Sequence, residues 1–283
     1  MTTTDTHNPM LDWLVPVEPA RLGEMTEEAY AAEPGVRSSL LREVDRSPFH
    51  AWRAMTAPRE TTDAMMVGQM LHAGLLEWPH GLSRFAVSKT HKTLKAVTKH
   101  CTGVAPGKIP VPEALAEKAS AEAAAVMAHP EASELLSGEG SNEQVFLWTD
   151  PLTGIACKCR VDRLKERREG GSKRLRVADV KRTSKGCGAR QFAKTVQEYG
   201  YDLSAAHYLA GLEAWYETRV PWYWIVVEED TLAVAVHRAD PGLIEWADGR
   251  RQRLLATLAD SIKTCRWDMP AGSVIERPRW AKE

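Results

Sequence analysis

The amino-acid sequence predicts an α/β fold in which one mixed central sheet is flanked by helices. Helix-like segments fill the first half of the chain, and strand-like segments, two more helices and a second group of strands follow in that order. No internal repeat or low-complexity tract interrupts this succession. With 283 residues, of which 43% are apolar and 27% charged, the chain is long enough to bury a full hydrophobic core.

Composition limits the classes of function. The formal net charge is -1, so a nucleic-acid site would have to be a local basic patch rather than a property of the whole chain. There is no apolar run of membrane-spanning length, and the polar start "MTTTDTHNPM" lacks a signal-peptide core, so we expect a cytoplasmic protein and no membrane partner. The five cysteines include no CxxC pair, which argues against a disulfide framework or a zinc ribbon.

The N-terminal half is predicted to be helical after an irregular lead-in. Residues 1–35 mix proline, glycine and acidic positions, and we expect the folded domain to span residues 36–283. "VRSSLLREVDRSPFHAWRAM" reads as a helix that breaks at Ser47-Pro48. "TTDAMMVGQMLHAGLLEW" reads as a second helix, with threonine and aspartate at its start.

A lysine-rich segment follows the second helix. Lys89, Lys92, Lys95 and Lys99 would form one basic stripe if the segment is helical, either as a solvated face or as a phosphate contact. "CTGVAPGKIPV" is predicted to be a loop. The alanine-rich "PEALAEKASAEAAAVMAHPEASELL" is predicted to be helical, with a break at His129-Pro130.

The second half opens with a predicted hairpin. "QVFLWTD", the turn "PLTG" and "IACKCRVDRL" place Ile155, Cys157, Cys159 and Val161 on one face. Gly170-Gly171 then turns the chain into the strand "RLRVADVKRT". The remaining predicted elements are the helices "ARQFAKTVQEYG" and "YDLSAAHYLAGLEAWYE", the strands "PWYWIVVEED" and "TLAVAVHRA", and a helix from about Gly242 to Lys263.

Asp179 and Lys181 are the first candidate site residues. They are two positions apart on a predicted strand and therefore point to one side, and they form the only acid-x-lysine sequence in the chain. Asp162 ends the preceding strand, and if the strands are neighbours the two carboxylates can converge on one Mg²⁺. Such a site suits hydrolysis of a phosphodiester, with the lysine beside the attacking water. The simpler interpretation is a surface ion pair.

Three further residues each allow two interpretations. His72 is next to Met70 and Leu71, so it is either a hydrogen-bonded core histidine or a metal ligand. Glu77 is either a helix-end charge or an acidic companion of that histidine. Glu143 lies just before a predicted strand and is either solvent-facing or an acid close to the metal.

Several segments occur in an order that resembles a known family. They are "SSLLREVDRSPFHAW", "VGQMLHAGLLEW", "NEQVFLWTDPLTGIACKCRVD", "ADVKRT", "YGYDLSAAHYLAG" and the closing "PAGSVIERPRWAK". Together they resemble the exonuclease VIII (RecE-type) branch of the PD-(D/E)XK nuclease superfamily, which occurs in phages and prophages. The resemblance covers most of the chain and implies a restriction-endonuclease-like fold.

The resemblance also implies an activity and its residues. It implies a nuclease, dependent on Mg²⁺ or Mn²⁺, that degrades double-stranded DNA ends and leaves single-stranded tails for an annealing protein in DNA recombination. Its relatives form rings, so a homo-oligomer is expected. His72, Asp162 and Asp179 correspond to the metal ligands and Lys181 to the catalytic lysine, while Glu77 corresponds to the acidic companion.

Three positions depart from the family pattern. Val161 replaces the proline of the superfamily motif, and Arg182 follows the catalytic lysine where threonine is common. Ser204 stands where the family helix carries glutamine, with Tyr208 retained, so a contact near the substrate or the water is shortened.

Cations near the core motif are expected to contact the DNA backbone without reading its bases. These are Lys185, Arg190 and Lys194, together with the lysines at 89–99. Two rival functions stay open: a nuclease of the Cas4 or AddB type without an iron–sulfur cluster, and a non-catalytic DNA-binding or assembly protein that retains the fold.

Overall fold

The computed structural model describes residues 9–57, 61–77, 80–100, 107–169 and 172–272. Cys101, the Gly170-Gly171 turn and all but the first three residues of the closing "PAGSVIERPRWAK" segment lie outside the described residues. Among the helices of the described part, none combines the length and the apolar character needed to cross a bilayer.

A six-stranded mixed sheet forms the centre of the protein, in the order β1-β4-β5-β6-β7-β8. Only β6 and β7 pair in parallel; the other neighbours are antiparallel. A separate two-stranded parallel sheet joins β2 and β3. The strands are β1 (Ala20–Glu24), β2 (Phe85–Ser88), β3 (Ile109–Pro112), β4 (Gly140–Thr149), β5 (Ala156–Glu169), β6 (Ser172–Thr183), β7 (Trp222–Glu228) and β8 (Val234–Arg238).

Helices flank the sheet, and their ends follow side-chain caps. Ser47 accepts a hydrogen bond from the His50 N–H, and Thr62 accepts one from Met65 at the start of the fourth helix. The helices are α1 (Glu27–Ala32), α2 (Ser38–Arg46), α3 (Pro48–Thr56), α4 (Asp63–Leu76), α5 (Leu94–His100), α6 (Glu113–Ala128), α7 (Pro130–Leu136), α8 (Ala189–Tyr199), α9 (Tyr201–Tyr216) and α10 (Pro241–Thr264). The predicted breaks at 47–48 and 129–130 are confirmed.

Two hydrophobic cores lie on opposite faces of the sheet. Val177 belongs to the core that contains residues of α2, α9 and α10, whereas Ala178 and Val180 belong to the core with α4, α6 and α7. The four predicted inward-facing residues of the hairpin, Ile155 to Val161 at alternate positions, are all fully buried in the first core. By strand alternation, Asp179 and Lys181 point to the same face as Val177.

The local predictions for the lead-in and for the loop after the lysine-rich segment are wrong. The lead-in is not irregular, because β1 pairs with β4 at the edge of the sheet and Arg21 bonds to Gln144 there. Gly23 has φ +78° and sits at a register shift, which hides the alternation that would have revealed so short a strand.

The lysine-rich segment is helical only in part, so the condition for a single basic stripe is met only at its C-terminal end. Helix α5 begins at Leu94, so Lys89 and Lys92 precede it and only Lys95 and Lys99 lie on it. Residues 109–111, expected in a loop, form β3 together with Pro112. Its prolines occupy alternate positions, and only alternate residues of a strand direct their N–H groups towards a given neighbour, so the strand tolerates them.

Candidate metal centre

The candidate site lies where β5 and β6 separate. The two strands pair antiparallel up to Arg163 opposite Ala178, and the next residues along them are Asp162 and Asp179. Beyond this point β5 pairs with β4 and, through a single parallel bridge at Cys157, with Val36, whereas β6 pairs with β7. The expected adjacency of the two strands is therefore confirmed, and both aspartates lie at the fork.

Val180 of β6 orients two of the candidate ligands. Its N–H donates to Asp162 Oδ2 at 3.0 Å, and its carbonyl oxygen lies 3.2 Å from His72 Nε2. Because a carbonyl only accepts hydrogen bonds, the ring proton belongs on Nε2, which leaves a lone pair on Nδ1. Nδ1 lies 3.6 Å from Asp162 Oδ2, so these two potential ligand atoms lie in the same small region. A hydrogen bond that fixes the histidine tautomer in this way is typical of metal sites.

Glu143 of β4 completes a group that could hold a cation. His72, Glu143 and Asp162 each offer one ligand atom, and these atoms all lie within 4.8 Å of one another. Glu143 of β4 and Asp162 of β5 lie between the register pairs Asn142–Arg163 and Gln144–Val161, and the φ of +47° at Glu143 places its backbone in the left-handed region. One imidazole and two carboxylates are suitable donors for Mg²⁺ or Mn²⁺.

Asp179 lies beside this group rather than in it. Its Oδ2 is 2.5 Å from Lys181 Nζ, so the two residues form an ion pair, but Asp179 is buried and the pair is not the surface ion pair considered from the sequence. The contact lacks hydrogen-bond angles, however, and among the described residues no group donates a well-directed hydrogen bond to this buried oxygen. Lys181 Nζ also lies 5.2 Å from the centre of the Tyr201 ring.

The electrostatics of the site favour a bound cation. Burial, with a contribution from nearby Asp162 and against the opposing effects of His72 and Arg160, raises the pKa of Glu143 to about 7. Burial likewise raises the pKa of Asp179 to about 6, with Lys181 opposing and Asp162 adding to the shift. Clustered buried carboxylates are poorly stabilised in their ionised form, and a divalent cation reverses that balance. The donor set and the incompletely bonded Asp179 oxygen thus fit such a metal.

The remaining predicted site residues have different surroundings. Glu77 ends α4 and forms an ion pair with Arg84, so it is held outside the cation-binding group. Ser204 and Tyr208 are partly buried on α9. Burial raises the pKa of the Tyr208 hydroxyl well above its ordinary value, and Asp162 and Asp179 contribute in the same direction.

A cleft of about 440 Å³ opens next to the fork. His72, Lys181, Lys185 and Tyr201 are among its lining residues. Lys185 is bound to Glu198 at 2.6 Å, while the other predicted DNA-contacting cations are exposed: Lys89, Lys92, Lys95, Lys99, Arg190 and Lys194. Lys89 approaches Glu113 at 3.7 Å. A larger cavity of about 810 Å³ lies elsewhere, between α9, α10 and the sheet, and is largely apolar.

Sequence reasoning missed two features of the site. Glu143 was expected near the metal but not among its ligands, because its position depends on a left-handed residue within a strand. Tyr201 was not singled out, although it lies three and seven residues before Ser204 and Tyr208, a spacing that places all three on one helix face.

Comparison with known proteins agrees with this architecture. No curated protein matches the chain. Among solved structures, the chain is similar to a candidate exonuclease from Eubacterium rectale determined at 2.19 Å. The TM-score is 0.57 at 15% identity, with 90% of this chain and 96% of that chain covered, which confirms the restriction-endonuclease-like fold class.

The family assignment covers most of the sequence. Residues 37–273 match the family described as PDDEXK-like domain of unknown function (DUF3799). Strands β4, β5 and β6, which carry the candidate carboxylates, and the helix that carries His72 all lie within the matched residues. On this match and on the geometry of the fork, the chain belongs to the PDDEXK-like family DUF3799.

Proposed function

We propose that the protein is a divalent-metal-dependent nuclease that hydrolyses phosphodiester bonds in DNA. The observation that carries the proposal is the convergence of His72, Glu143 and Asp162 beside the Asp179–Lys181 pair. Membership of a PDDEXK-like family and the fold shared with a candidate exonuclease support the same conclusion.

Mg²⁺ or Mn²⁺ would be held by His72 Nδ1 and by the carboxylates of Glu143 and Asp162. Asp179 is the next ligand candidate, since its carboxylate is buried and beside the group. A divalent cation at such a site supplies the Lewis-acid chemistry of phosphodiester hydrolysis. Val180 keeps the histidine and Asp162 oriented through its backbone, so the ligands are fixed before a metal enters.

Lys181 is assigned the role of the catalytic cation. Neighbouring Asp179 and Asp162 outweigh the effect of burial and raise the pKa of its ammonium group, so it stays charged at neutral pH. A fixed positive charge at the cleft stabilises negative charge that develops on the attacked phosphate and orients the attacking water. Tyr201 limits the space into which the lysine can move.

The finer assignment is the processing of double-stranded DNA ends to single-stranded tails for strand annealing in recombination. It rests on the resemblance to the exonuclease VIII branch, as do the expected ring and the annealing-protein partner. Exposed Arg190 and Lys194 on α8 and the lysines at 89–99 would bind the backbone. A cytoplasmic location stays a prediction.

Incubation with linear duplex DNA tests the proposal. The wild type should release nucleotides with Mg²⁺ or Mn²⁺ and none with excess chelator. Asp162→Asn should remove the activity, whereas Asp260→Asn, an exposed aspartate on α10, should retain it. Covalently closed duplex should resist if the enzyme acts at ends.

Two outcomes favour the alternatives. No release by wild type that still binds DNA favours a non-catalytic DNA-binding protein, for which Ser204 is the relevant departure. Activity on closed circles contradicts the end-processing role but leaves the nuclease assignment intact.

A further inference from the structure

Arg160 of β5 connects the proposed metal site to the N-terminal segment. Its Nε lies 2.9 Å from Glu143 Oε2, and its Nη2 lies 2.7 Å from Glu27 Oε2 on α1. The guanidinium also packs 5.1 Å from the centre of the Tyr30 ring. One side chain thus contacts a candidate ligand and two residues of α1.

Helix α1 is itself anchored to β5. The buried Lys158 ammonium donates to the carbonyl oxygens of Tyr30 at 2.8 Å and of Ala31 at 3.4 Å, and to that of Glu33. The Tyr30 side chain is buried, so the helix cannot shift without exposing it. Glu27 and Tyr30 are therefore presented to Arg160 from a fixed support, although α1 precedes the residues matched by the family.

Glu143 is a residue whose own strand does not fix its carboxylate. Its φ of +47° departs from regular strand geometry, so neighbouring pairs in the sheet do not determine the direction of its side chain. Arg160 occupies only Oε2, which leaves Oε1 without that contact. An arginine that holds one oxygen of a ligand carboxylate directs the other and restricts its rotation.

We infer that Arg160 is a positioning residue that sets the Glu143 carboxylate for divalent cation binding, and that Glu27 and Tyr30 hold Arg160 in place. The inference rests on the proposed metal site. Under this inference α1, which lies outside the residues matched by the family, supports cation binding at that site.

Mn²⁺ binding measured by calorimetry, in the absence of DNA, tests the inference. Arg160→Gln should weaken binding by about 10-fold or more, in line with the loss of other supporting contacts to metal ligands. Glu27→Gln should weaken it by a few-fold, since Arg160 keeps its contact with Glu143. Glu28→Gln, a neighbouring exposed residue on the same helix, is the matched control and should bind like the wild type.

A double variant separates positioning from general structural damage. If Arg160 acts through Glu143, then Arg160→Gln should have little further effect in a Glu143→Gln background. Equal loss of affinity in both backgrounds overturns the inference, and so does unchanged affinity of a folded Arg160→Gln protein. If that variant fails to fold, Arg160→Lys and Glu27→Gln provide the same comparison.

The outcome is distinguishable from failure of the nuclease proposal. Wild-type protein that binds Mn²⁺ without cleaving DNA contradicts the nuclease activity and leaves the positioning role to be judged by the affinities. Wild-type protein that binds Mn²⁺ and is indifferent to Arg160 contradicts the positioning role alone. Wild-type protein that binds no Mn²⁺ contradicts both.

Discussion

Two ion pairs on consecutive residues of β6 differ in how completely their charges are matched. Arg182 binds the fully buried Glu122 through two of its three guanidinium nitrogens, Nε at 2.5 Å and Nη2 at 2.8 Å, and its Nη1 donates to the Ala64 carbonyl oxygen at 3.0 Å. Lys181 contacts Asp179 at 2.5 Å without good hydrogen-bond angles, and Asp162 lies close to both.

This difference distinguishes a structural ion pair from the pair that we propose acts in catalysis. Bidentate geometry satisfies the buried charges of Arg182 and Glu122, so that pair joins β6 to α6. At Asp179 and Lys181, burial and a further carboxylate leave the acid with a raised pKa, which is a state that natural cores avoid unless a site requires it. Whether an ion pair is structural is therefore judged from its hydrogen-bond geometry and its neighbouring charges, not from the contact alone.

The largest expected effect is on activity at Lys181. Lys181→Ala should lower the rate of DNA cleavage by about 10³-fold, because a pre-positioned charge next to the reacting phosphate is lost. Single-turnover cleavage under saturating Mg²⁺ measures this, with thermal unfolding as a check on folding. Lys263→Ala on the exposed face of α10 is the control. Activity of Lys181→Ala within a few-fold of the wild type would make the pair structural, like its neighbour.

The next effect is on stability at the other pair. Glu122→Gln should lower the free energy of unfolding by about 3 kcal/mol, because it leaves the Arg182 charge buried with only the more distant Glu229 as acidic partner. Denaturant unfolding measures the change, and the exposed Glu117→Gln on the same helix should alter it little. A loss of metal affinity with unchanged stability would contradict the structural role of this pair.

The smallest effect extends the comparison to two histidines. His72 lines the cleft, whereas His207 is fully buried against the carbonyl oxygens of Val36 and Lys158, and burial, assisted by Arg251, lowers its pKa from 6.5 to about 3. Below pH 6.5, His207 becomes protonated in the unfolded chain but stays neutral in the folded protein. The free energy of unfolding should therefore decrease as the pH is lowered. His207 should account for about 2 kcal/mol of this decrease between pH 7 and pH 5.

Unfolding of the wild type and His207→Gln across this pH range measures the contribution. The variant should lose less stability between the two pH values, whatever its stability at pH 7. Parallel pH profiles would show that His207 does not carry the dependence.

Much of the fold was predictable because its signals are local. Alternation fixed the inward face of the hairpin from Ile155 to Val161, and Ser47-Pro48 and His129-Pro130 marked helix breaks through sterics of the chain itself. Strand β1 was not predictable, since a five-residue strand with a glycine shift at Gly23 gains its stability from pairing with β4.

The candidate site divides in the same way. Asp179 and Lys181 could be placed on one side of a strand from their spacing, and Asp162 could be placed on the neighbouring strand. The prediction that Asp162 ends that strand is wrong, because β5 continues to Glu169. Membership of Glu143 in the ligand group could not be predicted, because it depends on a left-handed residue and on the register of β4 against β5. Nor could Arg160, whose partners Glu143 and Glu27 come from different elements.

The sequence by itself determined the α/β class, the order of most elements and the acid-x-lysine strand, because periodicity and chain stiffness act over a few residues. The tertiary structure decided which charges are matched. Whether an acid meets a bidentate arginine, as Glu122 does, or a crowded carboxylate, as Asp179 does, depends on contacts between residues distant in the chain. The incompletely compensated carboxylates lie at the fork of β5 and β6, and we therefore place the proposed metal centre there.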